Sequence, residues 1–236
     1  MANPLEYSFG TVNADTAGRW LHLSQDEDQE VWMLNLMKYK QVADYGDESR
    51  PKISGREADD IYAPTEVLAD LGATVPLFAD VTHQVSDDIA WERIAIVRYP
   101  SRRSFFEMQN RKDFQKQYVH KEAGMETTII MGCTPLSTGE APVSRRTPVV
   151  MRVRRFHEGE VAPAEQEGVS LVAHFNVDGV IVGDGRVWDE VRFDVVDEAL
   201  LPSLANTAGV AEQIIVVMNP FIEDLIGSVA TAGNAS

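Results

Sequence analysis

Cysteine is almost missing from this chain: Cys133 is the single one in 236 residues. That excludes an internal disulfide framework and any multi-cysteine metal site, and makes a reducing cytoplasm the simplest expected setting. Basic residues are also scarce. There are 21 Lys and Arg against 37 Asp and Glu, a formal net charge of -16. Nucleic acid and anionic membranes both call for a basic field, so neither is expected as a partner. No apolar run approaches the ~20 residues that span a bilayer. The start, Met1 to Tyr7, lacks the basic stretch and apolar core of a targeting segment. Gly-rich phosphate loops, a Gly-x-Ser-x-Gly elbow and a His-x-x-x-His metal spacing are missing too. No cofactor and no metal are therefore expected, although haem stays open because one histidine suffices as an axial ligand.

What is present is ordinary globular material, 44% hydrophobic and 25% charged, enough for a packed core. Trp32 to Lys40 reads as a strand, apolar on both faces until its end. A polar loop with Asp44, Gly46, Asp47, Glu48 and Pro51 follows. Ala58, Ile61, Tyr62, Val67, Leu68 and Leu71 recur at helical spacing, with Pro64 starting or kinking a helix and Gly72 stopping it. Val75 to Val85 and Trp91 to Pro100 alternate as strands. Ser101 caps a helix that carries Phe105, Met108, Phe114 and Tyr118 as far as Gly124, and Met125 to Pro135 is a closing strand. The order is β-α-β-β-α-β.

The second half follows the same order. Val149 to Phe156 is a strand, and a short segment from Glu160 to Gly168 stands in place of the first helix. Ser170 to Val182 and Val187 to Val196 flank a Gly183-Asp-Gly185 turn. Glu198 to Asn206 is a short helix and Glu212 to Pro220 a last strand. Trp91-Glu is echoed by Trp188-Asp, and Glu126…Pro135-Leu by Glu212…Pro220-Phe. The reading is α+β: tandem ferredoxin-like βαββαβ repeats whose sheets cover each other in a pseudo-dimeric α/β barrel. Residues 1-30 are an N-terminal extension, 31-138 the first repeat, 139-147 a linker, 148-224 the second repeat and 225-236 a loose tail.

These residues carry a resemblance. Trp32 to Lys40, Ser54-Gly-Arg-Glu-Ala58 with Tyr62, Leu71-Gly-Ala73, Trp91 to Phe106 and His120-Lys-Glu-Ala-Gly124 are similar to a dimeric α/β-barrel family of uncharacterised bacterial proteins, a domain-of-unknown-function group. The likeness spans about residues 30 to 136. The later half follows by element order alone and lacks the Tyr-Pro-Ser and His…Ala-Gly signatures. The resemblance implies the ferredoxin-like barrel but no settled activity. Distant proteins of that architecture include cofactor-free monooxygenases, muconolactone-type isomerases, dehydratases and haem enzymes, so fold does not fix function.

Strand alternation sorts the candidate site. Ile94, Ile96 and Arg98 share one side; Trp91, Arg93, Ala95, Val97 and Tyr99 share the other. In the second half, Val191, Phe193 and Val195 oppose Trp188, Glu190, Arg192 and Asp194. The expectation is that the aliphatic sides meet the helices and that the sides bearing Trp and polar groups line the barrel interior. Those polar groups then either make salt bridges between the halves or surround a ligand cavity. His120 and His83 are the acid/base candidates, with His120 equally suited to be a helix C-terminal cation and His83 to be a rim residue. Arg93 would hold developing negative charge. Asn35, Lys38, Tyr62, Trp91, Tyr99 and Arg192 would bind substrate. His174 is a weaker candidate. Cys133 reads as a small buried residue.

The expected function is a cofactor-independent enzyme of lyase, isomerase or monooxygenase type, moving protons on a small aromatic or polyketide-like substrate. The alternatives are a non-catalytic small-ligand-binding protein and a haem-dependent dehydratase or oxidoreductase. The expected partner is a small-molecule substrate, with a homodimer anticipated because exposed sheet edges often pair.

Overall fold

A computed structural model describes residues 7–47, 50, 52–141 and 147–233. Glu48 and Pro51 of the polar loop, most of the linker (142–146) and the last three residues lie outside the described residues. Nine strands alternate with seven helices in the order β1 (Thr11–Val12), α1 (Ala14–Leu21), β2 (Val31–Tyr39), α2 (Gly55–Ile61), α3 (Thr65–Asp70), β3 (Thr74–Ser86), β4 (Arg93–Tyr99), α4 (Arg102–Asn110), α5 (Lys112–Gly124), β5 (Met125–Thr138), β6 (Val149–Phe156), β7 (Val169–Gly183), β8 (Glu190–Val196), a short 3₁₀ turn, α6 (Leu201–Leu204), β9 (Val210–Glu223) and α7 (Leu225–Gly233).

Eight of the strands close on themselves in the order β7-β5-β2-β4-β3-β9-β6-β8, with β8 pairing back onto β7. Every pairing is antiparallel. The first-half strands lie as β5-β2-β4-β3 and the second-half strands as β9-β6-β8-β7, and the two sets join at β3–β9 and β5–β7. Each barrel strand thus has a neighbour on both sides, which removes the free edges on which the homodimer expectation rested. No described helix is long and apolar enough to cross a membrane.

The barrel interior is a tightly packed apolar core. Trp32, Leu34 and Leu36 from β2, Ile94 and Ile96 from β4, Met151 and Val153 from β6, Val191 and Phe193 from β8, and Ile214, Val216 and Met218 from β9 pack into one cluster. This overturns the expected facing. The aliphatic sides of β4 and β8 point into the barrel, and Arg93, Ala95, Val97 and Tyr99 point out toward the helices. Alternation tells which residues share a face, but both faces of this sheet are buried, so it does not tell which face is inside. Closure decides: a filled interior has no water for a guanidinium, whereas a helix can bring carboxylates to it.

Outside the first-half strands lies a second cluster, in which β2, β4 and β5 pack against α3, α4, α5 and α1. Pro64 caps α3 rather than kinking a longer helix, and the expected long helix after Ser101 breaks at Arg111 into α4 and α5. Ser54 opens α2 with a reciprocal cap: its Oγ accepts from the Glu57 amide (3.1 Å), and the Glu57 carboxylate accepts from the Ser54 amide (2.7 Å). Gly55 and Gly124 allow the start of α2 to touch the end of α5. A Cβ on Gly55 would lie 2.2 Å from the Gly124 carbonyl, and one on Gly124 2.4 Å from the Gly55 carbonyl. The two glycine-containing segments noted in the sequence therefore fix how α2 and α5 cross. The expected loose tail is instead α7 as far as Gly233, with Leu225 wholly buried in the barrel-side core.

Candidate functional site

The helix-facing side of the first half is not filled. Between β2, β4 and β5 on one side and α2–α5 on the other lies a cavity of about 290 Å³. Its wall is mostly apolar, with Met33 and Met37 from β2, Ala95 and Val97 from β4, and Phe105, Met108 and Phe114 from the helices. By contrast, the barrel interior around Trp32, Cys133, Phe175 and Phe193 has no room for a water molecule. The cavity therefore lies outside the barrel, not within it as the sequence reading placed it.

Tyrosines ring one end of the cavity. Tyr118 on α5 packs against Phe114 (5.5 Å between ring centroids), Tyr7 (5.9 Å), Phe9 (6.3 Å) and Tyr62 (6.4 Å). The Tyr118 hydroxyl is buried and has no hydrogen-bond partner among the described residues. The Tyr99 hydroxyl donates to the Met108 sulfur, at 3.3 Å. Burial pushes the hydroxyls of Tyr7, Tyr62, Tyr99 and Tyr118 above the usual phenol range, so all four stay protonated donors at neutral pH.

One cation lines this wall. Lys121 lies seven residues after Phe114 and three after Tyr118, on the inward face of α5, and is only 9% exposed. Its Nζ sits 5.5 Å from the centre of the Tyr62 ring. Among the described residues it makes no hydrogen bond and no ion pair. Burial depresses its ammonium below the usual lysine range, and the field of Asp59 only partly opposes that.

Asp59 and Asp60 bring carboxylates to the same wall from α2. Asp59 is committed: it accepts from the Tyr39 hydroxyl (2.6 Å) and from Arg93 Nη1 (3.0 Å). Asp60 accepts from the same Arg93 nitrogen at 2.8 Å but is 56% exposed. Arg93 also reaches Asp80 (3.2 Å) and lies over the Phe78 ring, 4.8 Å from its centroid. Arg93 thus locks the back of the site and does not itself line it.

The other expected site residues scatter. Asn35 and Tyr62 do line the cavity, as does Tyr99. Asn35 donates to the Met33 carbonyl (3.0 Å). Lys38 points away and pairs with Glu126 (2.6 Å). Trp91 is buried on the barrel side, with its indole N–H donating to Asp87 at 2.7 Å. His83 is exposed on β3. His120 turns to the surface side of α5, where its Nδ1 lies 2.7 Å from the Tyr45 hydroxyl. Burial, with help from Arg50, lowers its imidazole below the ordinary value. His120 and its neighbour Lys121 point in different directions because successive helix positions are about 100° apart.

Arg192 belongs to a different construction. On the outward face of β6 and β8 the segment 157–168 lies where the first half carries helices. There Glu165 meets Arg152 (2.8 Å), Arg154 (3.0 Å) and Arg192 (3.3 Å). Asp194 pairs with Arg152 (2.6 Å) and Arg192 (3.1 Å), and Glu190 with Arg154 and His174. Arg192 on β8 and Arg93 on β4 both lie on the outward face, but each is neutralised within its own half. His174, 2.8 Å from Glu190, is part of this network.

Neither histidine nor cysteine lines the cavity, although its tyrosines and methionines are of types that can ligate haem iron. Among the described residues no three His, Cys, Asp or Glu side chains converge on a metal position.

The fold and site define an eight-stranded antiparallel barrel with a closed apolar interior and one helix-walled side cavity. Solved structures of similar shape include a protein of unknown function from Rhodopseudomonas palustris (22% identity, TM-score 0.45, 53% of this chain and 95% of that one). They also include a monooxygenase, so named provisionally, from Lactobacillus acidophilus (10% identity, TM-score 0.40, 82% and 94%) and a mutant chlorite dismutase from Candidatus Nitrospira defluvii (9% identity, TM-score 0.44, 91% and 98%). No protein-family profile and no curated protein matches the chain. At these scores the likenesses bear no weight on activity, and the architecture rests on the strand order.

Proposed function

We propose that the protein is an enzyme of proton-transfer chemistry, of lyase, isomerase or monooxygenase type, that binds a small aromatic or polyketide-like molecule in the helix-walled cavity. The observation that carries this is Lys121: an amine without a counter-ion, buried at one end of an aromatic-lined space. A flat apolar body fits between Met33, Ala95 and the tyrosines. An oxygen of the ligand pointing toward α5 would meet Lys121 and the unpartnered Tyr118 hydroxyl, and Tyr62 and Asn35 would orient it. Charge that develops on that oxygen when a neighbouring C–H is deprotonated is best held by a donor in a low-dielectric wall. Asp60, the carboxylate of the site that is partly open to water, is the group able to exchange a proton with solvent. Asp59 and Arg93 position it.

The chain itself is read as a fused pair of ferredoxin-like units, supported by the matching strand orders of the two halves, with the first unit holding the site. A second reading, binding without turnover, draws on the fact that Asp59 is already spent on Tyr39 and Arg93. The two are separated by incubating the protein with small enolisable phenyl ketones in D₂O. Deuterium entering beside the carbonyl, and lost in Lys121→Met, supports turnover. Saturable binding with no exchange supports binding alone.

A further inference from the structure

We propose that Lys121 is a covalent site: its Nζ condenses with the carbonyl carbon of a small aromatic aldehyde or aryl ketone held in the cavity, forming an imine. This deepens the proposed function and rests on the cavity being the ligand site.

The argument begins with the amine's surroundings. A lysine forms an imine only from its neutral form, and a lysine paired to a carboxylate is held protonated. Most basic groups around this site are held that way: Arg93 by Asp59, Asp60 and Asp80, Lys38 by Glu126, and Arg111 by Asp70 and Asp113. Lys121 is not. The nearest acid, Asp59, is itself neutralised by Arg93 and occupied by the Tyr39 hydroxyl. The groups facing Lys121 are the Tyr62 ring from α2 and apolar strand residues, none of which stabilises an ammonium as water does.

The second part is the ring of aromatic side chains. Tyr62, Phe114 and Tyr118 form a wall that runs from the amine two turns back along α5, so a ligand ring stacked there would carry its substituent toward Nζ. The third is the Tyr118 hydroxyl, one turn before Lys121 on the same helix face, buried, protonated and without an acceptor. It can donate to the carbonyl oxygen during attack.

The step balances without any other reagent. The Nζ lone pair adds to the carbonyl carbon, and the C=O π pair moves to oxygen. The two N–H protons leave with that oxygen as water, and the C=N bond remains. Protonated, the imine of an aryl alkyl ketone draws electrons from the neighbouring alkyl carbon, so a C–H there becomes acidic; an aromatic aldehyde has no such C–H and stops at the imine. The ketone's acidified C–H supplies the proton-transfer chemistry of the proposed function. Hydrolysis returns the amine.

The test uses the whole chain with benzaldehyde and sodium cyanoborohydride near pH 7. The reductant converts the imine to a stable benzylamine, and labelled lysines are located by peptide mass mapping. Phenol, which lacks a carbonyl, is titrated separately by calorimetry. The expected result is labelling of Lys121 faster than any other lysine, since a buried amine without a counter-ion carries a larger neutral fraction and lies beside the bound ring. Phenol should slow that labelling, and Lys121→Arg should abolish it. Saturable phenol binding with Lys121 labelled no faster than surface lysines would overturn the imine and leave the cavity reading standing. Failure of both phenol and benzaldehyde to bind would overturn both. Should the Arg variant not fold, the site-by-site rates in the unaltered chain decide by themselves.

Discussion

The outward faces of the two halves share a strand order and were finished differently. In the first half, four helix segments cover β2, β4 and β5 and leave a cavity whose polar groups are few and, at Lys121 and Tyr118, unpaired. In the second, a loop carrying Glu165 covers β6 and β8, and the corresponding space is closed by three arginines, three carboxylates and a histidine. A helix supplies side chains in a fixed stripe and can span a gap; a short loop can only settle onto the sheet. The second face therefore spends its polar residues on one another, whereas the first keeps some in reserve. Unsatisfied buried groups are costly to a fold; on the first face Tyr118 borders an open cavity, whereas Arg154 Nη1 and Arg192 Nε, also without a partner among the described residues, lie in a network packed closed around them.

The largest expected effect lies on the closed face. Arg154 is completely buried, and Arg154→Met leaves Glu190 and Glu165 short of a partner. It should cost about 3–5 kcal/mol in urea unfolding. A loss under about 1 kcal/mol would mean that the network is dispensable and that the contrast between the faces has been overdrawn.

Lys121→Met should act in the opposite direction, adding about 1 kcal/mol or more at pH 7, because it removes a buried charge with no partner. The sign of the pH dependence follows from the depressed ammonium. Between its folded value and the ordinary ~10.4 the unfolded chain binds the extra proton, so stability from this group rises with pH across that window. Thermal melts from pH 7 to 10 should show a rise that the Met variant lacks.

Acid should act on the closed face instead. Glu165 and Glu190 are held below the usual glutamate range: burial opposes this but is outweighed by Arg152 and its neighbours for Glu165 and by His174 and Arg154 for Glu190. Their contribution is complete above ~4.3 and fades as pH falls through the depressed folded values. Glu165→Gln should flatten that acid limb while phenol binding in the first half stays unchanged.

Smaller still is the stability change expected of Ala95→Leu, which fills the cavity from β4 at a cost below about 1 kcal/mol because the added methylenes enter open space and not a packed core. Its informative readout is loss of phenol binding by titration. His120→Ala should change neither stability nor binding measurably, because its ring faces Tyr45 and not the cavity. Loss of phenol binding in that variant would return His120 to the site.

The candidate site was legible in part. Asn35, Tyr62 and Tyr99 were found because a polar or hydroxylated residue in an apolar strand or helix stripe stands out, and all three line the cavity. Lys121 was missed although its signal was in view: Phe114, Tyr118 and Lys121 fall at helical spacing, which puts a lysine on an apolar face. The neighbouring histidine drew attention because imidazole titrates near neutrality, but one residue along a helix is a different direction in space. Asp59 was masked in the same way, lying between Ala58 and Ile61 with nothing local to say that Tyr39 and Arg93 would converge on it.

By itself the sequence determined the eight barrel strands and their order, though not α1, α7 or the break between α4 and α5. Alternation, helical spacing, Ser54 and Ser101 as caps and Gly72 as a stop are local physics, acting over a few residues. Tertiary structure alone decided which sheet face became the inside. Both faces are buried, so the period-two pattern is symmetric between them, and the choice waits on closure of β8 against β7. It also decided that the empty space lies under the helices, because a cavity is set by how far α2–α5 stand off the sheet. That stand-off depends on contacts between residues far apart in the chain, such as Gly55 against Gly124.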